Sequence, residues 1–199
     1  FPTRRSSDLS DAPAFLRQEK KGVRNMDVMV IYSSRTGNTK KVATSIFAAI
    51  PGESKDMQPI EEYNGKDAET YFIGFWTDQG TCDMRVVDLL SELEGKNVAL
   101  FGTCGMGANM EYYKSIEQKV KVWLPETCRY FGAYMCQGKM PMQVRQKYEM
   151  MEKNGMGEEK IKPLLRNFDE ALLHPDSEDL KAAAAFAADI VERIKNDEC

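Results

Sequence analysis

From Val28 onward the chain alternates between two hydrophobic patterns. Short unbroken apolar runs occur at Val28-Met29-Val30-Ile31-Tyr32, at Tyr71-Phe72-Ile73-Gly74-Phe75-Trp76 and at residues 98–102, and residues 129–137 read as another strand. Runs of this length without polar alternation predict strands covered on both faces, as in a parallel sheet. Between them, apolar residues recur every three or four positions, the spacing of amphipathic helices. Val42, Ala43, Ile46, Phe47 and Ile50 mark a helix from about Thr39, ended by Pro51-Gly52. Val86, Val87, Leu90 and Leu93 mark a second, with Asp83 as its N-cap. Tyr113, Ile116, Val120 and Trp123 mark a third, over about residues 110–124. The last begins at Pro175-Asp176-Ser177-Glu178 and runs to Lys195, with Leu180, Ala183, Ala184, Ala187, Ile190, Val191 and Ile194 facing inward.

Two regions depart from this rhythm. Residues 53–59 predict only a weak strand, and residues 61–70, with the turn signal Asn64-Gly65, a shortened helix or a loop. Residues 138–176 hold two helix-like pieces, Met142 to Lys153 and Glu158 to Leu173, on either side of a Gly-bearing turn at 154–157. Strand–helix alternation with about five strands predicts an α/β fold, a parallel sheet between two helical layers. Residues 26–199 are expected to form this one domain, with a helical insertion at about 139–176.

The polar stretch between the first strand and the first helix carries the chemistry. Ser33 to Asn38 interrupt the apolar run with hydroxyls and a glycine. The loop ends at a helix N-terminus, where backbone N–H groups lack partners and the dipole is positive. Ser34, Thr36, Asn38 and Thr39 add side-chain groups, and Gly37 allows close backbone approach. Such a loop binds a phosphate monoester, or its hydroxyls simply cap the helix. It is not a nucleotide P-loop, because Gly37 is followed by Asn38 rather than by Lys-Ser/Thr. A phospho-acceptor receiver domain is also excluded: it places acidic residues at the carboxyl end of its first strand, and Asp27 lies at the other end.

In the segment VIYSSRTGNTKKVATSI, Val30, Ile31, Tyr32, Ser34, Gly37, Thr39, Ala43 and Ile46 fill the places of the FMN-phosphate signature of flavodoxins. The chain therefore resembles the flavodoxin family. The resemblance implies a flavodoxin-like three-layer sandwich with strand order 2-1-3-4-5, FMN as cofactor and a ligand site beyond the carboxyl ends of the strands. It implies that Ser34, Arg35, Thr36, Gly37, Asn38 and Thr39 surround the phosphate. Trp76, Thr77, Asp78, Gln79 and Gly80 would line one side of the isoalloxazine, and Thr103, Cys104, Gly105, Met106 and Gly107 the other. Trp76 either stacks on the ring or closes the core. Gly80 either offers a carbonyl to N5 of the one-electron-reduced flavin or is an ordinary turn residue. Asp78 either lowers the potential by repelling the reduced ring or is a solvated cap. Arg35 either pairs with the phosphate or points to solvent, Cys104 either packs or touches the flavin, and Tyr112 or Tyr113 either borders the ring or, as the helical spacing of Tyr113 favours, packs in the core. Gly105-Met106-Gly107 differs from small flavodoxins, which place an acidic residue after the glycine and a stacking Tyr downstream. The strings GFWTDQGTCD, FGTCGMG, CQGKMP and HPDSEDL resemble a flavodoxin-domain family of anaerobic bacteria, some members of which accompany a bilirubin-reducing enzyme.

Composition narrows the remaining classes. Hydrophobic residues make up 42% of the 199, enough for a core, and the net charge of −4 with both signs interspersed argues against nucleic acid as partner. No run is long enough for a membrane span. The cysteines, Cys82, Cys104, Cys128, Cys136 and Cys199, form no C-x-x-C pair, and with His174 as the single histidine no zinc set is expected. A reduced, cytoplasmic protein is the simplest reading. Met140, Met142, Met150, Met151 and Met156 crowd the helical insertion, where they either pack or offer an adaptable docking surface. Residues 1–9 (FPTRRSSDL) resemble a translated sequencing adapter, and residues 1–25 are expected to be an artefactual or disordered extension, with Met26 as the true start. The expected function is electron transfer through bound FMN to partner redox proteins. A small FMN-dependent NAD(P)H reductase for a quinone-like acceptor, and a flavin-free interaction module, are the alternatives.

Overall fold

The computed structural model describes residues 28–107 and 109–197. The expectations for residues 1–25 lie outside the described residues. Five parallel strands form one sheet in the order β2-β1-β3-β4-β5: β1 Val28–Tyr32, β2 Lys55–Pro59, β3 Thr70–Trp76, β4 Asn97–Cys104 and β5 Arg129–Gln137. The weak strand is real but short, and a single 3₁₀ turn, Ile60–Glu62, replaces a second helix between β2 and β3.

The unbroken apolar runs follow from burial on both faces. Val28, Val30, Tyr32, Phe72, Ala99 and Phe101 point to one side of the sheet, where α1 (Asn38–Ala49) and α6 (Ser177–Asp197) cover them with Val42, Ala43, Ile46, Ala183, Ala187, Ile190, Val191 and Ile194. Met29, Ile31, Tyr71, Ile73, Phe75, Val98 and Leu100 point to the other, under α2 (Met84–Ser91) and α3 (Met110–Lys121). Each fully buried aliphatic or aromatic side chain contributes about 1.5–3 kcal/mol, so these two layers dominate stability. The last helix has the expected inward face, with Leu180 and Ala184 only half-buried.

One inward residue was misplaced by the helical spacing. Trp123 is 47% exposed. The helix ends at Lys121, two residues before it, so the 3.6-residue phase that would have carried Trp123 to the core no longer applies. Among the described residues, no helix is long and apolar enough to cross a membrane.

After β5 come α4 (Met142–Lys153) and α5 (Glu158–Ala171), packed against each other. Ile161, Phe168 and Ala171 of α5 are fully buried, yet they belong to neither sheet core. Pro163 sits inside α5, and its position on the exposed side lets water satisfy the carbonyl its missing N–H leaves free.

Candidate functional site

All five strands point the same way, so their carboxyl ends lie at one edge of the sheet. The ladder continues past the strands: Ser33 N–H donates to Gly74 O (2.8 Å), Thr77 N–H to Thr103 O (2.9 Å) and Gly138 N–H to Cys104 O (2.8 Å). The loops after β1, β3, β4 and β5 therefore start at nearly one level and enclose a cavity of about 620 Å³, within the usual range of small-molecule pockets, roughly 300–1,000 Å³.

The loop after β1 closes one end. Gly37 takes a positive φ of 84° and directs the chain into α1. Among the described residues, no protein acceptor meets the N–H groups of residues 36–39, and Ser34 Oγ accepts from Lys40 N–H (3.3 Å). Arg35 and Thr36 are exposed and line the cavity. Asn38 is buried and its Nδ2 donates to Thr36 Oγ1 and to Lys139 O, both at 2.9 Å. Thr39 is buried completely, and its hydroxyl meets that of Thr103 at 3.0 Å. Thr39 thus ties the start of α1 to β4, while Thr36 and the free N–H groups at the start of α1 remain on the cavity side. The ionised side chains that line the cavity, Arg35 and Lys139, are both cationic. No carboxylate or imidazole lines it among the described residues.

Two strand ends form the facing walls. Trp76 is half-buried at the end of β3, with the Arg35 guanidinium 5.5 Å from its ring centroid. Thr77 Oγ1 is buried without a hydrogen bond of normal geometry, beside the Cys104 thiol. Thr103, Cys104 and Gly105 continue the wall. Burial pushes the Cys104 thiol above its ordinary range, so it stays neutral at physiological pH despite the Met106 N–H, Thr77 and Tyr112 groups around it. An orphaned hydroxyl, apolar walls and an anion-binding end suit a flat heteroaromatic ligand that carries a phosphate.

Eight of the expected residues meet in this cavity: Arg35, Thr36, Asn38, Trp76, Thr77, Thr103, Cys104 and Gly105. Ser34, Gly37, Thr39, Asp78 and Gly80 stand apart from its lining. Asp78 and Thr81 exchange backbone hydrogen bonds (2.8 and 2.9 Å) around Gln79 and Gly80, whose φ values are both positive, 48° and 84°. This is a tight type I′ turn, and a glycine suits its second position. Gly80 is buried near Lys119 and Tyr112. Met106 is exposed, and Gly107 lies outside the lining as well. Tyr113 packs in the core and donates through its hydroxyl to Met106 O (3.2 Å), and Tyr112 lies against Cys104.

The fourth wall escaped the sequence reading. Gly138, Lys139, Met140 and Pro141, with Gln143 and Val144 of α4, close the cavity over the β5 end. The signal was available, because β5 also ends at the ligand edge of the sheet and Gly138 follows it directly. Among the five methionines of this region, Met142 and Met150 are exposed, and Met140, Met151 and Met156 are half-buried. His174, Asp176 and Asp179 lie close enough together to hold a cation. They already serve the start of α6: Asp176 Oδ1 accepts from the N–H groups of Glu178 and Asp179, and Asp179 Oδ2 accepts from Asp176 N–H.

Known proteins match this arrangement. Residues 29–188 fit the model of a flavodoxin domain. A flavodoxin-like domain-containing protein BilS of Clostridioides difficile (strain CD3) is 36% identical over 171 residues, covering 83% of this chain and 97% of that protein. Its counterpart in Clostridium symbiosum (strain WAL-14163) is 34% identical over 180 residues, covering 81% and 94%. The fold is shared with a flavodoxin, WrbA-like protein of Agrobacterium tumefaciens, at a TM-score of 0.54 and 12% identity, over 85% of this chain and 97% of that one. Sheet order, cavity and sequence agree, and the chain belongs to the flavodoxin-domain family.

Proposed function

We propose that the chain binds FMN and carries electrons between partner redox proteins. The observation that carries this reading is one cavity with an anion-binding helix start at one end and the β3 and β4 loops as walls. Ser34, Arg35, Thr36 and the free N–H groups of α1 hold the phosphate. Trp76, Thr77, Thr103, Cys104 and Gly105 hold the ring, and Thr77 Oγ1 gains a polar partner there. Bound FMN supplies reversible one- and two-electron redox chemistry; the protein supplies position and field. Among the described residues no carboxylate or imidazole lines the cavity, and burial keeps the Cys104 thiol neutral, which supports a carrier over a stand-alone enzyme.

A second reading rests on the fourth wall. Met140, Pro141, Gln143 and Val144 extend the cavity beyond what the three flavodoxin loops enclose. This extra wall suits a reductase with a pocket for an organic acceptor.

Titration of the purified protein with FMN and with riboflavin, followed by flavin fluorescence, tests the site. FMN is expected to bind at least about tenfold more tightly, the equivalent of roughly 1.4 kcal/mol at the phosphate. Equal affinities would remove the phosphate from the argument, and no binding of either would sink the reading. NADH added to the loaded protein then separates the two activities: a carrier leaves the flavin absorbance unchanged without a partner, whereas a reductase bleaches it.

A further inference from the structure

The loop after β4 is held from outside the cavity by a side chain of α5. Asn167 Nδ2 donates to Gly105 O at 3.0 Å, and Asn167 Oδ1 accepts from Gly107 N–H at 2.9 Å. One amide thus bridges a carbonyl and an N–H two residues apart, as a neighbouring strand would. The opposite amide orientation would set like groups against each other, so the network defines it. Gln137, buried at the end of β5, joins through Nε2: it donates to Gly105 O and to Asn167 Oδ1, each at 3.2 Å.

This clamp fixes one peptide in particular. In a planar trans peptide the C=O and N–H point to opposite edges. The Gly105 carbonyl faces Asn167, so the N–H of the same peptide, on Met106, points to the opposite edge. The 105–106 peptide therefore cannot turn over while Asn167 is in place. A Cβ at Gly107 would lie 2.6 Å from Gln137 Oε1, and one at Gly105 would lie 2.6 Å from Met140 Cγ, so either addition would displace a neighbouring side chain.

We propose that Asn167, supported by Gln137, is a positioning residue for the flavin ring: from the helical pair it holds the loop of residues 105–107, and with it the wall formed by Cys104 and Gly105, in its binding shape. This rests on the FMN reading above. Asn167 acts on the wall and not on the phosphate loop, so its loss weakens FMN and riboflavin by the same factor.

The test uses the full chain with Asn167→Ala, the near-isosteric Asn167→Asp and the exposed control Arg166→Ala. Two lost hydrogen bonds lead to an expected increase in Kd of about tenfold for both flavins in Asn167→Ala. Asn167→Asp sets a carboxylate oxygen against the Gly105 carbonyl and is expected to be weakened at least as much. The visible circular dichroism of bound FMN should change in both variants and not in Arg166→Ala. Folded variants with the original Kd and unchanged flavin dichroism would overturn the inference, even if their melting temperature fell. A change confined to FMN, with riboflavin unaffected, would also overturn it by locating the effect at the phosphate. If the unsubstituted protein binds no flavin, the functional reading falls and this inference falls with it.

Discussion

Asp83 shows how much one side chain near the site can hold. It caps α2 by accepting from Arg85 N–H (3.1 Å), and it also accepts from the hydroxyl of Ser33, which is wholly buried at the end of β1. The sequence identified the cap from its position before an apolar periodic run. It could not show the second bond, which spans 50 residues. Asp83→Ala removes a cap and strands a buried hydroxyl, each worth about 1–2 kcal/mol, so a loss of about 2–3 kcal/mol is expected in urea unfolding. A loss below half a kcal/mol would show that Ser33 finds another partner. The same limit applies to Asn167, whose position in a charged amphipathic helix carries no mark of its contact with Gly105 and Gly107.

At the scale of elements, the pair α4–α5 is distinct from the sandwich. Ile161, Phe168 and Ala171 of α5 are buried outside the two sheet cores, and Arg145 ties the two helices by pairing with Asp169 while lying over the Phe168 ring (5.6 Å). The neck is closed by a hydrogen bond from Lys139 N–H to His174 O (2.9 Å), and Lys139 O in turn accepts from Asn38 at the start of α1. Segments with few buried apolar side chains open before the sheet core does. Phe168→Ala, with an expected local cost of about 3–5 kcal/mol, should raise amide hydrogen exchange across residues 142–171 and leave β1, β3 and β4 protected. Equal loss of protection in the sheet would show that the pair and the sandwich unfold as one unit.

At the scale of the whole molecule, burial of acidic thiols and phenols sets the response to high pH. Burial pushes Cys82 up to about 11 and Cys136 up to about 12, from an ordinary value of 9.0, and raises Tyr130 and Tyr134 as well. The unfolded chain releases these protons first. Their contribution is therefore complete below about pH 9 and is lost as pH rises through 11 and 12. The urea midpoint is expected to stay level from pH 7 to 8.5 and to fall by pH 10.5, and a Cys82→Ala/Cys136→Ala variant should show a shallower fall. A midpoint that rises with pH in that range would contradict this sign.

The layers were legible along the chain, and so was the polar loop that enters the first helix. Unbroken apolar runs mean strands buried on both faces, and residues at helical spacing mean the covering helices; both are local patterns set by the period of the backbone. The loop from Ser34 to Thr39 was legible for the same reason, since its chemistry lies in six consecutive residues. Tertiary structure alone decided what sits opposite. It carried Lys139 to Asn38 and Gly138 to Cys104, it brought Asn167 to Gly105, and it left Asp78 in a turn outside the cavity lining. Those contacts join residues that are close only because five strands end at one edge of a sheet, and no local spacing along the chain encodes that meeting.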